Sequence, residues 1–166
     1  MTGPAAAELA SRAHTLLRGR GETLAVAESL TGGLIGATLT GVPGISAVFR
    51  GGVIAYATRA KADVLGVPAA LLAEHGAVHP DVAVAMARGA RGLLKATFGL
   101  AVTGVAGPEP QDGRPVGTVY TALAGPDQRH RVLELRLEGD RAAIRERTVE
   151  SALSLLLDGV SETTAN

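Results

Sequence analysis

The sequence predicts an α/β fold, a three-layer α/β/α sandwich around a mixed, largely parallel sheet. Short apolar stretches alternate with segments whose apolar residues recur at helical spacing, which is typical of parallel strands covered by helices on both faces. Two β-rich stretches flank a Pro-Asp-Gln turn at 126–128, which favours an antiparallel hairpin. The 166 residues fit one domain, 1–166, with an ordered core at about 5–158 and a polar tail at 159–166.

The first half of the chain is predicted to contain two helices and two strands. Pro43 ends the second helix, because proline cannot continue a helical hydrogen-bond ladder. Gly51 and Gly52 interrupt the second strand, which indicates a bulge or a close backbone approach. In order, these elements are helix 5–18, strand 23–28, helix 32–42 and strand 47–57.

The second half supplies the remaining helices and strands. Pro80 and Asp81 favour a helix start at the beginning of the longest central segment, since both residue types suit a first turn. The final helix is expected to end where the sequence turns polar. The elements are helices 59–65, 68–75 and 79–96, strands 98–107, 117–125 and 129–137, and helix 140–157.

Composition excludes several classes of function. Sixteen basic and sixteen acidic residues give a formal net charge of zero, which argues against nucleic acid as a partner. The absence of cysteine excludes disulfides and thiolate chemistry, and the four aromatic residues provide no platform for stacked bases. No stretch resembles a signal peptide or a membrane span. We therefore expect a soluble cytoplasmic domain with a small-molecule substrate and no membrane partner.

The stretch "LAVAESLTGG" at 24–33 is the first candidate for a site. Ser29 would lie at the carboxyl end of a buried strand, where α/β folds bind ligands. The amides of Thr31, Gly32 and Gly33, at the start of the following helix, are candidate donors to an anion or an oxyanion. The alternative is that Ser29 or Thr31 only caps this helix. The stretch matches neither the phosphate-binding loop of nucleoside triphosphatases nor the G-x-S-x-G elbow of hydrolases.

A catalytic serine needs a base, and lysine usage suggests one. The chain has two lysines against fourteen arginines. Lysine can lose its proton when desolvated, whereas arginine cannot. Lys61 follows Tyr56 at the point where a strand leads into a helix, so both residues would approach Ser29 at one rim of the sheet. A chance surface lysine is the alternative. The histidines, at positions 14, 75, 79 and 130, are expected to be solvated or to cap turns.

Two further pairs are candidates for substrate binding. Arg141 and Arg145 lie one turn apart on the final helix, where two guanidinium groups beside a helix N-terminus suit a phosphate. The alternative is a solvated helix face. Thr103 and Gly104 lie in a second strand-to-loop turn that would contact the ligand, unless the turn only requires its glycine.

Six ordered blocks resemble the CinA C-terminal domain family, the nicotinamide-nucleotide amidases, over about residues 7–157. The resemblance implies hydrolysis of the carboxamide of nicotinamide mononucleotide to the carboxylate by a serine amidase without metal or other cofactor. Ser29 would be the nucleophile, with Lys61 as base either directly or through Tyr56. The blocks are "AESLTGGLIGATLTGVPGIS", "GGVIAYATRAKADVLGV", "HGAVHPDVAVAMARGAR", "AVTGVAGP", "PVGTVYTAL" and "GDRAAIRERTVESAL".

Two departures from the family pattern keep alternatives open. After "AGP" the chain reads "EPQDGRP", in which Pro110 stiffens the loop and Arg114 replaces the usual lysine. His79 replaces a serine before a helix, and we expect only a changed cap. The alternatives to the amidase are a non-catalytic nucleotide-binding or regulatory module and an amidase or esterase acting on another small molecule. A homodimer is a further expectation.

Overall fold

The computed structural model of the chain describes residues 2–163 and shows one five-stranded sheet covered by helices. The strands are β1 (Leu24–Glu28), β2 (Phe49–Ile54), β3 (Phe98–Gly104), β4 (Thr118–Ala124) and β5 (His130–Arg136). The helices are α1 (Pro4–Arg20), α2 (Leu34–Thr40), α3 (Thr58–Leu65), α4 (Ala69–His75), α5 (Pro80–Leu93) and α6 (Arg141–Glu162), with a 3₁₀ turn at Ile45–Ala47.

The sheet has the order β2-β1-β3-β4-β5. β1 pairs in parallel with β2 and β3, whereas β4 pairs antiparallel with both β3 and β5. Four strands therefore run in one direction and β4 alone runs against them, which confirms the mixed, largely parallel sheet. The carboxyl ends of β1, β2 and β3 consequently meet at one edge of the sheet.

Helices cover both faces of the sheet and create two apolar clusters. The first cluster joins α1, α2 and α6 to one face, through side chains such as Leu17, Ile35 and Leu156. The second joins α3, α4 and α5 to the other face, through Leu65, Leu72 and Met86. Aliphatic residues dominate both clusters, and helices on both faces of the sheet confirm the three-layer sandwich.

The glycine pair in β2 creates the predicted irregularity. Leu24 pairs with Phe49 but Ala25 pairs with Gly51, so the register shifts by one residue at this point. Gly51 has φ +138°, which L-residues rarely adopt.

The end of α6 differs from the sequence prediction. The helix continues to Glu162 rather than ending at Leu157, so residues 159–162 of the predicted polar tail are helical. Val160 is fully buried because it follows Leu156 by one turn on the face that packs against the core. Residues 164–166 of that tail lie outside the described residues. Between residues 2 and 163, no helix has both the length and the apolarity required to cross a membrane.

Candidate active site

The carboxyl edge of the sheet brings the predicted catalytic residues together. Ser29 directly follows β1, Tyr56 follows β2 by two residues, and Lys61 lies in the first half of α3. A pocket of about 270 Å³ opens there, lined by Ser29, Leu30, Tyr56, Ala57, Thr58, Gly104, Ala106, Gln111 and Arg141. A larger cleft of about 410 Å³ lies at the opposite edge of the sheet, beside the β4–β5 turn and the end of α6, far from Ser29.

Lys61 is buried, with 1% of its surface exposed, and its amine contacts three oxygen atoms. Nζ lies 2.9 Å from Ser29 Oγ, 2.8 Å from the Ala55 carbonyl and 3.3 Å from the Tyr56 carbonyl. A lysine ammonium has three N–H donors and would use them all here. A neutral amine would donate to the two carbonyls and direct its lone pair at the Ser29 hydroxyl.

Burial lowers the pKa of Lys61 from 10.5 to about 8, because the charged amine loses its hydration. The negative charge of Asp112 acts in the opposite direction and has the smaller effect. With this pKa, about a tenth of the Lys61 side chains are neutral at pH 7. Lys61 can therefore act as a base near neutral pH, as the sequence suggested for a buried lysine.

Tyr56 contacts the site through its backbone and its ring in different ways. Its carbonyl accepts from Lys61, whereas its hydroxyl accepts from Arg141 Nη2 at 2.9 Å. Tyr56 as a whole residue is 61% exposed, and it lines the pocket. The sequence left open whether Lys61 reaches Ser29 directly or through Tyr56, and the structure has the amine in direct contact with Ser29.

The Glu28 carboxylate organises the turn after β1, in which Gly32 and Gly33 lie. Its buried carboxylate accepts from the Thr31 hydroxyl at 2.6 Å and from the amide of Gly33 at 3.0 Å. It also accepts from the amides of Ile35 and Gly36, at 3.1 and 2.8 Å, in the first turn of α2. Such a carboxylate satisfies amides that a helix start leaves unpaired. Glu28 therefore has a structural role in the turn between β1 and α2.

The tight turn between β1 and α2 uses some of the predicted oxyanion donors. Gly32 and Gly33 have φ of +59° and +102°, and their amides donate to the Ser29 carbonyl and to Glu28. Of the turn amides at 30–33, those of Leu30 and Thr31 make no hydrogen bond to another described residue. Leu30 also lines the pocket.

Arg141 and Arg145 extend from the first turns of α6 to different partners. Arg145 donates to the carbonyls of Leu30 and Thr31, at 2.9 and 3.0 Å, and so braces the turn that carries Ser29. Arg141 donates to the Gly107 carbonyl and to the Tyr56 hydroxyl, and it lines the pocket. The two residues lie one turn apart on α6, as their spacing predicted, but of the two only Arg141 lines the pocket.

The other predicted binding residues lie close by. Thr103 is buried, and its hydroxyl donates to the Ala77 carbonyl at 2.8 Å, which ties the loop between α4 and α5 to β3. Gly104 lines the pocket, where a Cβ would lie 2.7 Å from the Thr118 carbonyl oxygen. His79 caps α5, because its Nδ1 accepts from the Asp81 amide at 3.2 Å, which confirms the changed cap.

Sequence reasoning missed five residues of the pocket lining, Leu30, Ala57, Thr58, Ala106 and Gln111. The side chain of Leu30 is buried and apolar, and its polar group is the backbone amide, so no sequence motif marks this residue. Gln111 lies in the segment "EPQDGRP", which the sequence distinguished only as a departure from a pattern. The Asp-Gly pair after it is typical of a hairpin turn, and this pair is the signal from which the loop geometry could be predicted.

Comparisons with known proteins identify relatives over nearly the whole chain. Residues 6–160 match the model of a family described as the CinA C-terminal domain. A CinA-like protein of Frankia casuarinae is 57% identical over 141 residues, which cover 85% of this chain and 32% of the relative. A CinA-like protein of Anaeromyxobacter is 52% identical over 157 residues, covering 93% of this chain and 38% of the relative. The chain thus spans about a third of the length of these curated relatives.

Solved structures of similar length share the fold. A competence/damage inducible protein of Agrobacterium tumefaciens matches with a TM-score of 0.92 and 37% identity, covering 97% of this chain and 98% of that one. A protein of the competence-damaged (CinA) superfamily from Klebsiella pneumoniae matches with a TM-score of 0.91 and 34% identity, covering 95% and 98% of the two chains.

Proposed function

The chain belongs to the CinA C-terminal domain family, and on that premise we propose that it hydrolyses nicotinamide mononucleotide to nicotinate mononucleotide and ammonia, in pyridine-nucleotide salvage. The observation that carries the proposal is the 2.9 Å contact between Ser29 Oγ and the buried amine of Lys61. A nucleophile and a base within hydrogen-bond reach are the minimum that covalent amide hydrolysis requires.

In the first step, Ser29 Oγ attacks the carboxamide carbon while neutral Lys61 takes the hydroxyl proton. The carbonyl oxygen of the substrate becomes an oxyanion in the tetrahedral intermediate. We assign its stabilisation to the amides of Leu30 and Thr31, which make no other hydrogen bond within the described residues. Glu28 and Arg145 hold this turn in place from its two sides.

In the second step, Lys61 returns its proton to the carboxamide nitrogen, the C–N bond breaks and ammonia leaves. Water then attacks the acyl carbon of the ester on Ser29, and Lys61 accepts a proton from that water. Collapse of this second intermediate breaks the ester bond, Lys61 returns its proton to Ser29 Oγ, and the carboxylic acid product loses its own proton to solvent to become the carboxylate. The same amine thus acts as base and acid twice, which a pKa of about 8 permits.

Two pocket residues suit the rest of the substrate. The Arg141 guanidinium lies in the pocket wall, where it offers a charged, multidentate partner for the 5′-phosphate. The exposed Tyr56 ring offers an aromatic face for the positively charged pyridinium ring. Arg141 thus takes the larger share of the phosphate contact that the sequence divided between Arg141 and Arg145.

The test is ammonia release from nicotinamide mononucleotide by the purified protein without added metal, beside a Ser29→Ala variant. We expect release by the wild-type protein and loss of at least about 10³-fold in the variant. Ser11→Ala, which changes an exposed serine on α1, is the matched control and should retain full activity. Release by both Ser29→Ala and the wild type would refute the serine mechanism. Nucleotide binding without release by the wild type would favour the non-catalytic module.

A further inference from the structure

Residues 111–114 form a small hairpin beside the active site. The Gln111 amide donates to the Arg114 carbonyl at 3.2 Å, and the Arg114 amide donates to the Gln111 carbonyl at 2.8 Å. Asp112 and Gly113, the two residues between them, have φ of +51° and +72°. Two consecutive left-handed residues are the mark of a type I′ turn, for which Asp-Gly is a preferred sequence. The turn places Gln111 in the wall of the pocket.

Asp112 fastens this hairpin to the neighbouring loop. Its Oδ2 accepts from the Ala77 amide at 2.9 Å, and its carboxyl group lies against Gly76, where a Cβ would be 2.6 Å from Asp112 Cγ. The Ala77 carbonyl in turn accepts from the Thr103 hydroxyl at 2.8 Å. A continuous series of contacts therefore runs from β3 through Ala77 and Asp112 to Gln111.

The hairpin has few other attachments. Arg141 holds the start of the loop at the Gly107 carbonyl. Within residues 2–163, no side chain other than Asp112 makes a hydrogen bond that joins the tip at 109–113 to the rest of the molecule. The Gln111 carboxamide has no hydrogen bond to a described residue, so its two donors and its acceptor oxygen are available to a ligand in the pocket.

We propose that Gln111 contacts the substrate and that Asp112 is the positioning residue that holds Gln111 at the pocket. The proposal rests on the amidase function proposed above. Arg141 already supplies a cation for the phosphate, so the uncharged carboxamide of Gln111 fits the remaining polar groups of a nucleotide, the ribose hydroxyls. A carboxamide both donates to and accepts from a hydroxyl group.

The first measurement follows hydrogen exchange of the Ala77 amide by NMR and needs no substrate. Asp112→Ala should accelerate this exchange at least about tenfold, because the amide loses its acceptor. Asp112→Asn keeps an acceptor oxygen and tolerates the left-handed turn, so exchange should stay close to wild type. Asp127→Ala is the matched control, since Asp127 has φ +57° in the β4–β5 turn at the opposite edge of the sheet. Unchanged exchange in Asp112→Ala would refute the positioning role, whatever reaction the protein catalyses.

The second measurement compares KM with kcat for nicotinamide mononucleotide. Gln111→Ala should raise KM about tenfold, the effect of one lost hydrogen bond, with kcat within about twofold of wild type. Asp112→Ala should raise KM to the same extent, and the KM of the double variant should be no higher than that of either single variant, because both substitutions remove one contact. KM is the quantity compared, since loss of the Asp112 charge also lowers the pKa of Lys61 further. Asp112→Asn should restore KM. Additive effects, or a loss confined to kcat, would overturn the proposal.

The two proposals fail in different ways. If the wild-type protein releases no ammonia, the amidase proposal fails, and nucleotide dissociation constants measured by calorimetry replace KM in the same comparison. A dissociation constant unchanged by Gln111→Ala would then refute the substrate contact on its own. If ammonia is released but KM is unaffected in Gln111→Ala, only the present inference fails.

Discussion

At the residue scale, the burial of Lys61 both suits the proposed base and lowers the stability of the folded protein. A buried amine without partners is strongly unfavourable when charged, and here two backbone carbonyls and a hydroxyl surround it. Desolvation still exceeds these contacts, since the pKa falls to about 8. The site therefore contains a lysine that is close to losing its proton. This lowered pKa suits a proton acceptor but does not stabilise the fold.

The activity should depend on pH through Lys61. The neutral amine is the reactive form, so kcat/KM should rise with pH, approach a plateau above about 8 and fall about tenfold for each pH unit below it. Lys61→Arg should remain inactive across the range, because arginine keeps its proton. Rates measured between pH 6 and 9.5 provide the check, with stability monitored in the same buffers. A flat profile would contradict the role of Lys61 as base.

The same pKa predicts a pH-dependent stability. Between about pH 8 and 10.5 the unfolded chain binds more protons at Lys61 than the folded chain does, so the free energy of unfolding rises with pH in this window. Relative to Lys61→Met, the wild-type protein should gain about 2 kcal/mol between pH 7.5 and pH 9.5. Urea unfolding of both proteins at the two pH values measures the difference. A constant difference would show that the folded-state pKa is not lowered.

At the element scale, α6 contributes two arginines to two different tasks. Arg145 contacts the backbone of the turn that follows Ser29, whereas Arg141 contacts Tyr56 and lines the pocket. The i and i+4 spacing puts both on one helix face, but the position of each relative to the β1–α2 turn decides what it reaches.

The two arginines should therefore give different kinetic defects. Arg141→Ala should raise KM for nicotinamide mononucleotide about tenfold or more, because the phosphate loses a charged partner. Arg145→Ala should mainly lower kcat, since the turn with Ser29 loses its brace. Each variant is the control for the other, and Arg147→Ala, one turn from the site on an exposed part of the same helix, should have little effect on either constant. Equal KM defects in both variants would instead support a two-arginine phosphate clamp.

The elements also show what the sequence can and cannot predict. Within residues 2–163, short apolar stretches and helical spacing located each of the five strands and six α-helices, because burial inside a sheet or on one helix face leaves a recognisable signal. The end of α6 was missed because one buried residue, Val160, lies among polar neighbours. Residue chemistry and strand ends predicted that Lys61 would approach Ser29, with a chance surface lysine as the alternative, and the structure brings the two side chains into contact. The partners of Glu28, Arg145 and Asp112 were not predicted, since they depend on how separate loops meet in three dimensions.

At the scale of the whole molecule, close backbone contacts at two glycines fix how near the helix layer that contains Lys61 lies to the sheet. A Cβ at Gly89 of α5 would overlap the carbonyl oxygen of Leu65 at the end of α3. A Cβ at Gly99 of β3 would overlap the carbonyl oxygen of Ala87, on the side where α5 crosses the sheet. The distance between α3, α5 and the sheet thus depends on two glycines, and α3 holds the Lys61 amine beside Ser29.

Alanine at Gly89 should therefore harm both the fold and the site. The added methyl group forces α3 away from α5, and we expect a loss of about 3 kcal/mol in the free energy of unfolding, as for other overpacked interiors. Gly92→Ala is the matched control, because Gly92 lies three residues further along α5 with nothing within 4 Å of its Cβ position. That variant should be neutral or gain up to about 1 kcal/mol, since alanine favours a helix over glycine.

Activity measured under conditions where Gly89→Ala remains folded separates the two consequences. A displaced α3 moves Lys61 Nζ away from Ser29 Oγ, so kcat should fall in Gly89→Ala even at temperatures well below its Tm, while Gly92→Ala keeps wild-type kcat. A stability loss with unchanged kcat would mean that α3 adjusts without moving its first turn. The position of Lys61 would then depend on the loop that follows β2 rather than on the packing of α5. Equal stability of the two alanine variants would contradict the close contact itself.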